Sequence, residues 1–183
     1  RKSTTGEKGS ALKIRLELRS FADIGLVGLP NAGKSTFLDA VSSAKPKIGD
    51  YPFTTIKPNL GTIKYFDKSF VFADIPGLIE GASQGTGLGI KFLKHISRTK
   101  ALLIFLDPHN SEYDFENQLK ILINEMRHFD SKLLQKDIWI VLNKIDTVDN
   151  LDENLSIIDK YIPRELKINQ IRGISSISKQ GVK

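Results

Sequence analysis

The hydrophobic and polar positions of this chain change rhythm in a way that separates strands from helices. Leu12, Ile14, Leu16 and Leu18 alternate with Lys13, Arg15, Glu17 and Arg19, the two-residue period of a half-buried strand. Asp23-Ile24-Gly25-Leu26-Val27 is an apolar run that reads as a buried strand. Further runs predict strands at 60–66, 70–73, 101–106, 138–142 and 171–175. Helical spacing predicts helices near 34–43, 87–98, 113–129 and 152–161. Strands alternating with helices indicate an α/β fold, a mainly parallel six-stranded sheet with helices on both faces. Ligands in such sheets bind at the carboxyl ends of the strands. Residues 1–10 are a polar tail, and no repeat or low-complexity tract is visible. A last covering helix is expected to begin at Gly181-Val182-Lys183, where the chain stops, so the domain is read as incomplete there and as a piece of a longer protein.

Between the apolar run at 23–27 and the helix after it stands Gly28-Leu29-Pro30-Asn31-Ala32-Gly33-Lys34-Ser35, a phosphate-binding loop in its strand–loop–helix context. Its glycines let successive N–H groups turn toward phosphates at the positive end of the helix dipole. Lys34 is expected to reach the β- and γ-phosphates and Ser35 to hold magnesium. Asp74-Ile75-Pro76-Gly77 follows the apolar run 70–73, 46 residues beyond Gly28. There Asp74 can hold magnesium through water, and the Gly77 N–H can sense the γ-phosphate. Asn143-Lys144-Ile145-Asp146 follows the strand 138–142. The Asp146 carboxylate can accept guanine N1–H and the exocyclic amine together, a pair adenine does not offer. Lys144 can lie over the base or bridge to the phosphate loop, and Asn143 can tie the two loops together. Ser175-Ser176-Ile177 closes the last strand, with backbone N–H groups that can meet guanine O6. Phe53-Thr54-Thr55-Ile56-Lys57 lies between the loop helix and the second strand; a threonine there can give its hydroxyl to magnesium and its N–H to the γ-phosphate, and lose both on hydrolysis.

Composition narrows the class. The chain has 183 residues, enough for one domain with a substantial core. It has no cysteine, which fits a reducing, cytoplasmic compartment, and no apolar stretch long enough to span a bilayer. The net charge is +6, but residues 1–19 hold six Lys/Arg against two Glu, so the body of the chain is nearly neutral. Basicity alone is therefore weak evidence for nucleic acid. His95, His109 and His128 show no metal-ligand spacing and are read as structural or surface residues. Phe105 and Trp139 are core candidates.

Taken together, these stretches resemble the G domain of the Obg (CgtA) family, a Ras-like P-loop NTPase fold. The match is carried by 25–35, Tyr51-Pro52-Phe53-Thr54-Thr55, Pro58-Asn59-Leu60-Gly61 and, most specifically, Ala73-Asp74-Ile75-Pro76-Gly77-Leu78-Ile79-Glu80-Gly81-Ala82 continuing to Leu93. On this resemblance 1–19 is the exit from a preceding domain, and 20–183 is the GTP-binding domain. The resemblance implies GTP binding and slow hydrolysis to GDP coupled to assembly of the large ribosomal subunit, contact with rRNA, and sensitivity to guanosine tetraphosphate. It also makes Thr55 a magnesium ligand beside Ser35 and Asp74. Ser176 stands where alanine is commoner. A monomer is expected.

Three features leave alternatives. Leu78 replaces the glutamine that positions water in Ras-type proteins, so catalysis falls to Lys34, Thr55, Gly77 and Asn31 or to a partner. Asn31 is either a potassium ligand beside the α- and γ-phosphates or a hydrogen bonder that steadies the loop. Lys91, Lys94 and Arg98 share one helix face, either an rRNA phosphate contact or a solvated surface. The competing functions are a nucleotide-gated docking protein or guanosine-tetraphosphate-responsive stress sensor with incidental hydrolysis, and, disfavoured by Asp146, an ATP-dependent enzyme.

Overall fold

Continuous apolar strands need cover on both faces, and that requirement sets the architecture. The structure is a computed structural model that describes residues 9, 11–14, 22–48, 58–74 and 99–182. The strands among them are β1 (Ile24–Gly28), β2 (Lys47–Ile48), β3 (Asn59–Tyr65), β4 (Lys68–Asp74), β5 (Ala101–Leu106), β6 (Asp137–Leu142) and β7 (Ile168–Gly173). They form one sheet in the order β2-β3-β4-β1-β5-β6-β7. The pairs from β4 across to β7 are parallel; β2–β3 and β3–β4 are antiparallel. The six long strands are those expected, and the two-residue β2 extends one edge.

Side-chain alternation splits the core in two. Val27, Leu102, Ile104, Leu106, Ile138, Ile140 and Leu142 enter one cluster, while Leu26, Phe105 and Val141 enter the other. Helix α1 (Lys34–Val41) covers the second cluster with Leu38, and the Phe37 ring lies 5.2 Å from that of Phe105. Helix α2 (Phe115–Phe129) covers the first with Leu119, Leu122, Ile123 and Met126, spaced i, i+3, i+4, i+7 along one face. Helix α3 (Leu151–Tyr161) adds Ile158. Each such buried side chain stabilises the fold by about 1.5–3 kcal/mol. Asp114 and Asn150 cap α2 and α3 by accepting from Asn117 N and Glu153 N at 2.8 and 3.2 Å. At the amino edge, Asp23 accepts from Val71 N at 3.0 Å and Lys100 Nζ at 2.9 Å, which holds its carboxyl below the usual range.

Two expectations are corrected. Residues 11–14 have no regular structure, and Leu12 and Ile14 are 84% and 78% exposed. Alternation makes a strand only beside a neighbour that shares its backbone hydrogen bonds, and the described sheet ends in β2 and β7. Residues 15–21, like the helix expected at 87–98, lie outside the described residues. The last strand starts three residues earlier than expected and ends two earlier. Its register slips between Ile138↔Ile168 and Trp139↔Gln170, leaving Asn169 as an extra residue. That bulge lets Ile168 and Ile171, an odd three positions apart, pack on the same core, which a two-residue period cannot anticipate.

Glu125, on α2, has a buried Oε2 with no hydrogen-bond partner among the described residues. Burial raises its pKa from 4.5 to about 7. The folded state therefore holds the proton more tightly than the unfolded chain, and stability present below pH 4.5 is lost as pH rises through about 7. Glu125→Gln keeps the neutral form at every pH. The melting temperature of the variant is expected to gain on wild type as pH rises through that window; an advantage that shrinks toward alkaline pH would refute the assignment.

Candidate functional site

The parallel strands bring their carboxyl ends to one edge of the sheet, where the end of β4 at Asp74 and the loops after β1, β5, β6 and β7 meet. Gly28 ends β1 in register with Phe105 of β5, and a Cβ there would stand 2.8 Å from the Phe105 carbonyl oxygen. The loop then turns through Asn31 at φ 62° and Gly33 at φ 89° into α1. Asparagine tolerates the left-handed region better than most residues; glycine is at home there. Gly33 is further constrained because a Cβ would lie 2.1 Å from Asn143 Nδ2. Lys34 folds its ammonium back over the loop, donating to the carbonyls of Gly28 (2.9 Å) and Leu29 (3.1 Å).

Ser35 Oγ donates to Asp74 Oδ2. Asp74 is 2% exposed, and its Oδ1 has no hydrogen-bond partner among the described residues. A carboxylate oxygen left unpaired beside a serine hydroxyl is costly unless a cation uses it. The donor set is all oxygen, which fits magnesium; one carboxylate and one hydroxyl suffice where phosphates supply further ligands.

Asn143 connects three segments. Its Nδ2 donates to Ala32 O at 2.9 Å, while its Oδ1 accepts from Ser176 N at 3.1 Å and Ser176 Oγ at 2.9 Å. The Ser176 hydroxyl thus adds a bond that alanine would not make. Lys144 then adopts φ 63°, and Ile145–Thr147 form a single 3-10 turn anchored by Ile145 N on Ile174 O at 3.2 Å. Asp146 is exposed on that turn. It lines a cavity of about 270 Å³ with Asn31, Gly33, Thr36, Ser176 and Ile177. Ser175 and Ser176 are buried; Ile177 is 78% exposed at the cavity mouth.

The structure therefore gathers 28–35, Asp74, 143–146 and 175–177 at one edge. Phe53, Thr54, Thr55, Ile56, Lys57, Ile75, Pro76 and Gly77 lie outside the described residues, as do Leu78, Lys91, Lys94, His95 and Arg98. Phe105 is fully buried, as expected, and His128 is exposed, bonded to Asn124 O. Two residues of the edge escaped the sequence reading. Asp107 is 4% exposed and pairs with Lys144 at 2.6 Å. His109, read as structural or surface, is exposed but joins Thr147 Oγ1 at 2.6 Å on the cavity rim. The available signal was positional: Asp107 follows β5 as Asp74 ends β4.

This sheet order, loop and helix define a P-loop GTPase domain. The chain belongs to the family described as 50S ribosome-binding GTPase, whose model matches residues 23–144. The fold is shared with a GTP-binding protein of Sulfolobus solfataricus solved with GDP, at 20% identity and TM-score 0.65 over 87% of this chain and 48% of that one. It is shared with the G domain of the T. maritima FeoB iron transporter, at 18% identity and TM-score 0.57 over 87% and 90%. A GDP-bound variant of the S. thermophilus FeoB G domain matches at 23% identity and TM-score 0.62 over 88% and 57%. The chain spans about half the length of the archaeal protein. Among the described residues, no helix is long and apolar enough to cross a membrane.

Asn143→Ala is expected to lower unfolding free energy by about 2–4 kcal/mol, because it strands buried partners in two loops. Ser176→Ala, which keeps the N–H bond, is expected to cost about 1 kcal/mol. Denaturant unfolding of both variants measures the difference; equal effects would contradict the tether.

Proposed function

We propose that the chain binds GTP at the carboxyl edge of the sheet, hydrolyses it to GDP and phosphate, and acts as an Obg-type switch in large ribosomal subunit biogenesis. On this reading 20–183 is the nucleotide domain and 1–19 leads in from a preceding one. The observation that carries nucleotide binding is the Asn143 tether, which fastens the phosphate loop to both loops that face a base and so sets their spacing before any ligand arrives.

The phosphates are received by the backbone N–H groups of 31–35, Pro30 having none, and by Lys34, whose ammonium already lies across the loop. Ser35 and Asp74 would hold magnesium together with Thr55. When bound, that ion would neutralise charge on the phosphates. Asp146 accepts both guanine donors and Ile177 offers an apolar surface to the ring, while the Ser176 N–H is already given to Asn143 Oδ1 and so is not available to the base oxygen. Thr55 and Gly77 sense the γ-phosphate. Because Leu78 cannot orient water, Asn31 would hold a potassium ion, which would supply positive charge near the phosphates.

The ribosomal role, including contact with rRNA through Lys91, Lys94 and Arg98 and response to guanosine tetraphosphate, rests on the family match and on the stretch 73–93. Leu78 also favours a second reading, a nucleotide-gated docking protein with incidental turnover.

Titration calorimetry is expected to show binding of GDP and GTP but not ATP. Asp146→Asn is expected to weaken GDP binding and admit xanthosine diphosphate, since an amide donates where a carboxylate accepts. Retained guanine preference in that variant would overturn the base assignment. Single-turnover hydrolysis should run about tenfold or more faster in potassium than in sodium, a barrier difference of about 1.4 kcal/mol. Asn31→Ala should abolish the difference, and equal wild-type rates in the two salts would remove Asn31 from the mechanism. Co-sedimentation with large ribosomal subunits in a non-hydrolysable GTP analogue but not GDP would support the switch; equal binding in both would favour another target.

A further inference from the structure

The loop after β5 carries groups that no nucleotide role has used, and they converge on the base loop. Asp107 is held on every side. Its N–H donates to Gln118 Oε1 at 3.0 Å, and its carbonyl accepts from Gln118 Nε2 at 2.8 Å. Gln118, 1% exposed on α2, also donates to Tyr113 O at 2.9 Å. The carboxylate divides its oxygens: Oδ1 accepts from His109 N at 3.0 Å and Oδ2 from Lys144 Nζ at 2.6 Å. The Asp107 side chain is 5% exposed and that of Lys144 32%.

Lys144 stands between two cavities. One is the 270 Å³ base cavity; the other, of about 400 Å³, is lined by Pro30, Asn31, Asp107, Tyr113 and Lys144 among others. A lysine has four rotatable bonds, so its stem forms a fixed wall only if its head is held. Asp107 holds it from the far side. A second strut runs from the same loop. Thr147 Oγ1 donates its one proton to Lys144 O at 2.6 Å, so at its 2.6 Å contact with His109 the hydroxyl accepts and the ring Nε2–H donates.

We infer that Asp107 is a positioning residue for guanine nucleotide binding: pinned by Gln118, it fixes Lys144 in place before ligand arrives, and the exposed His109–Thr147 strut assists it. The inference deepens the nucleotide reading above and rests on it. Because the device acts on ground state and transition state alike, its loss raises Kd and KM and leaves kcat unchanged.

The test is GDP and GTP affinity together with single-turnover hydrolysis at saturating GTP, for wild type, Asp107→Asn, Lys144→Met, the double variant and His109→Ala. The substitution Asp107→Asn retains an oxygen for His109 N while removing the charge that Lys144 meets. Both nucleotides are expected to bind about tenfold more weakly to Asp107→Asn, with an unchanged saturated rate. The double variant should bind no more weakly than Lys144→Met alone, because the two residues act through one another. Losses that multiply in the double variant, or wild-type affinity in Asp107→Asn, overturn the inference. His109→Ala alters an exposed side chain and keeps the test open should Asp107→Asn fail to fold; its expected loss is about fivefold, again at unchanged rate, and wild-type affinity there would overturn the inference in that event. Failure of wild-type protein to bind GDP would instead overturn the nucleotide reading itself.

Discussion

One buried amide organises this site. The Asn143 side chain has a donor end on the phosphate loop, 111 residues away in the chain, and an acceptor end on the loop after β7, so three distant segments share one geometry. Asn143 itself is fixed because its backbone continues the sheet, donating to Leu106 O at 3.0 Å. A group buried to 2% exposure cannot trade these partners for water. The spacing between the phosphate-loop segment and the loops after β6 and β7 is therefore set by the protein's own hydrogen bonds.

That rigidity depends on a sheet covered on both faces. Leu26, Phe105 and Val141 on one side, and Val27, Leu102, Ile104 and Leu142 on the other, leave the central strands no freedom to slide, since a one-residue slip would exchange the two cores. Among the described residues, left-handed backbone occurs at the carboxyl edge, at Asn31, Gly33 and Lys144, and otherwise at the hairpin residue Phe66 and the terminal residues Lys179 and Gly181. Three of these six positions border the 270 Å³ cavity, and at Lys144 the left-handed backbone is held by Thr147 donating to its carbonyl and by its own ammonium on Asp107. The edge also holds the Asp74 oxygen left unpaired among the described residues, whereas the matching group after β5, Asp107, is fully used.

The central strands were legible because an apolar run flanked by turn residues has few alternatives, and β5 and β6 fall within a residue of their expected bounds. The loop motifs were legible because their spacing is itself a chemical requirement: Gly28 and Gly33 stand where a Cβ would collide. Less visible were elements whose existence depends on a neighbour. The alternation at 11–14 has no partner strand among the described residues, and the bulge at Asn169 answers to β6 rather than to its own local pattern.

By itself, then, the order of residues determined the fold class and the GTPase family at its coarser level, since these follow from periodicity and from motif chemistry read along one line. Only the tertiary structure decided which partners those residues have. That Asn143 reaches Ser176, that Ser35 meets one oxygen of Asp74 and not the other, and that Asp107 and His109 meet Lys144 and Thr147 all depend on distances between segments far apart in the chain. Hydrogen bonds act over about 3 Å, and no spacing along the sequence encodes which distant loops a sheet will bring that close.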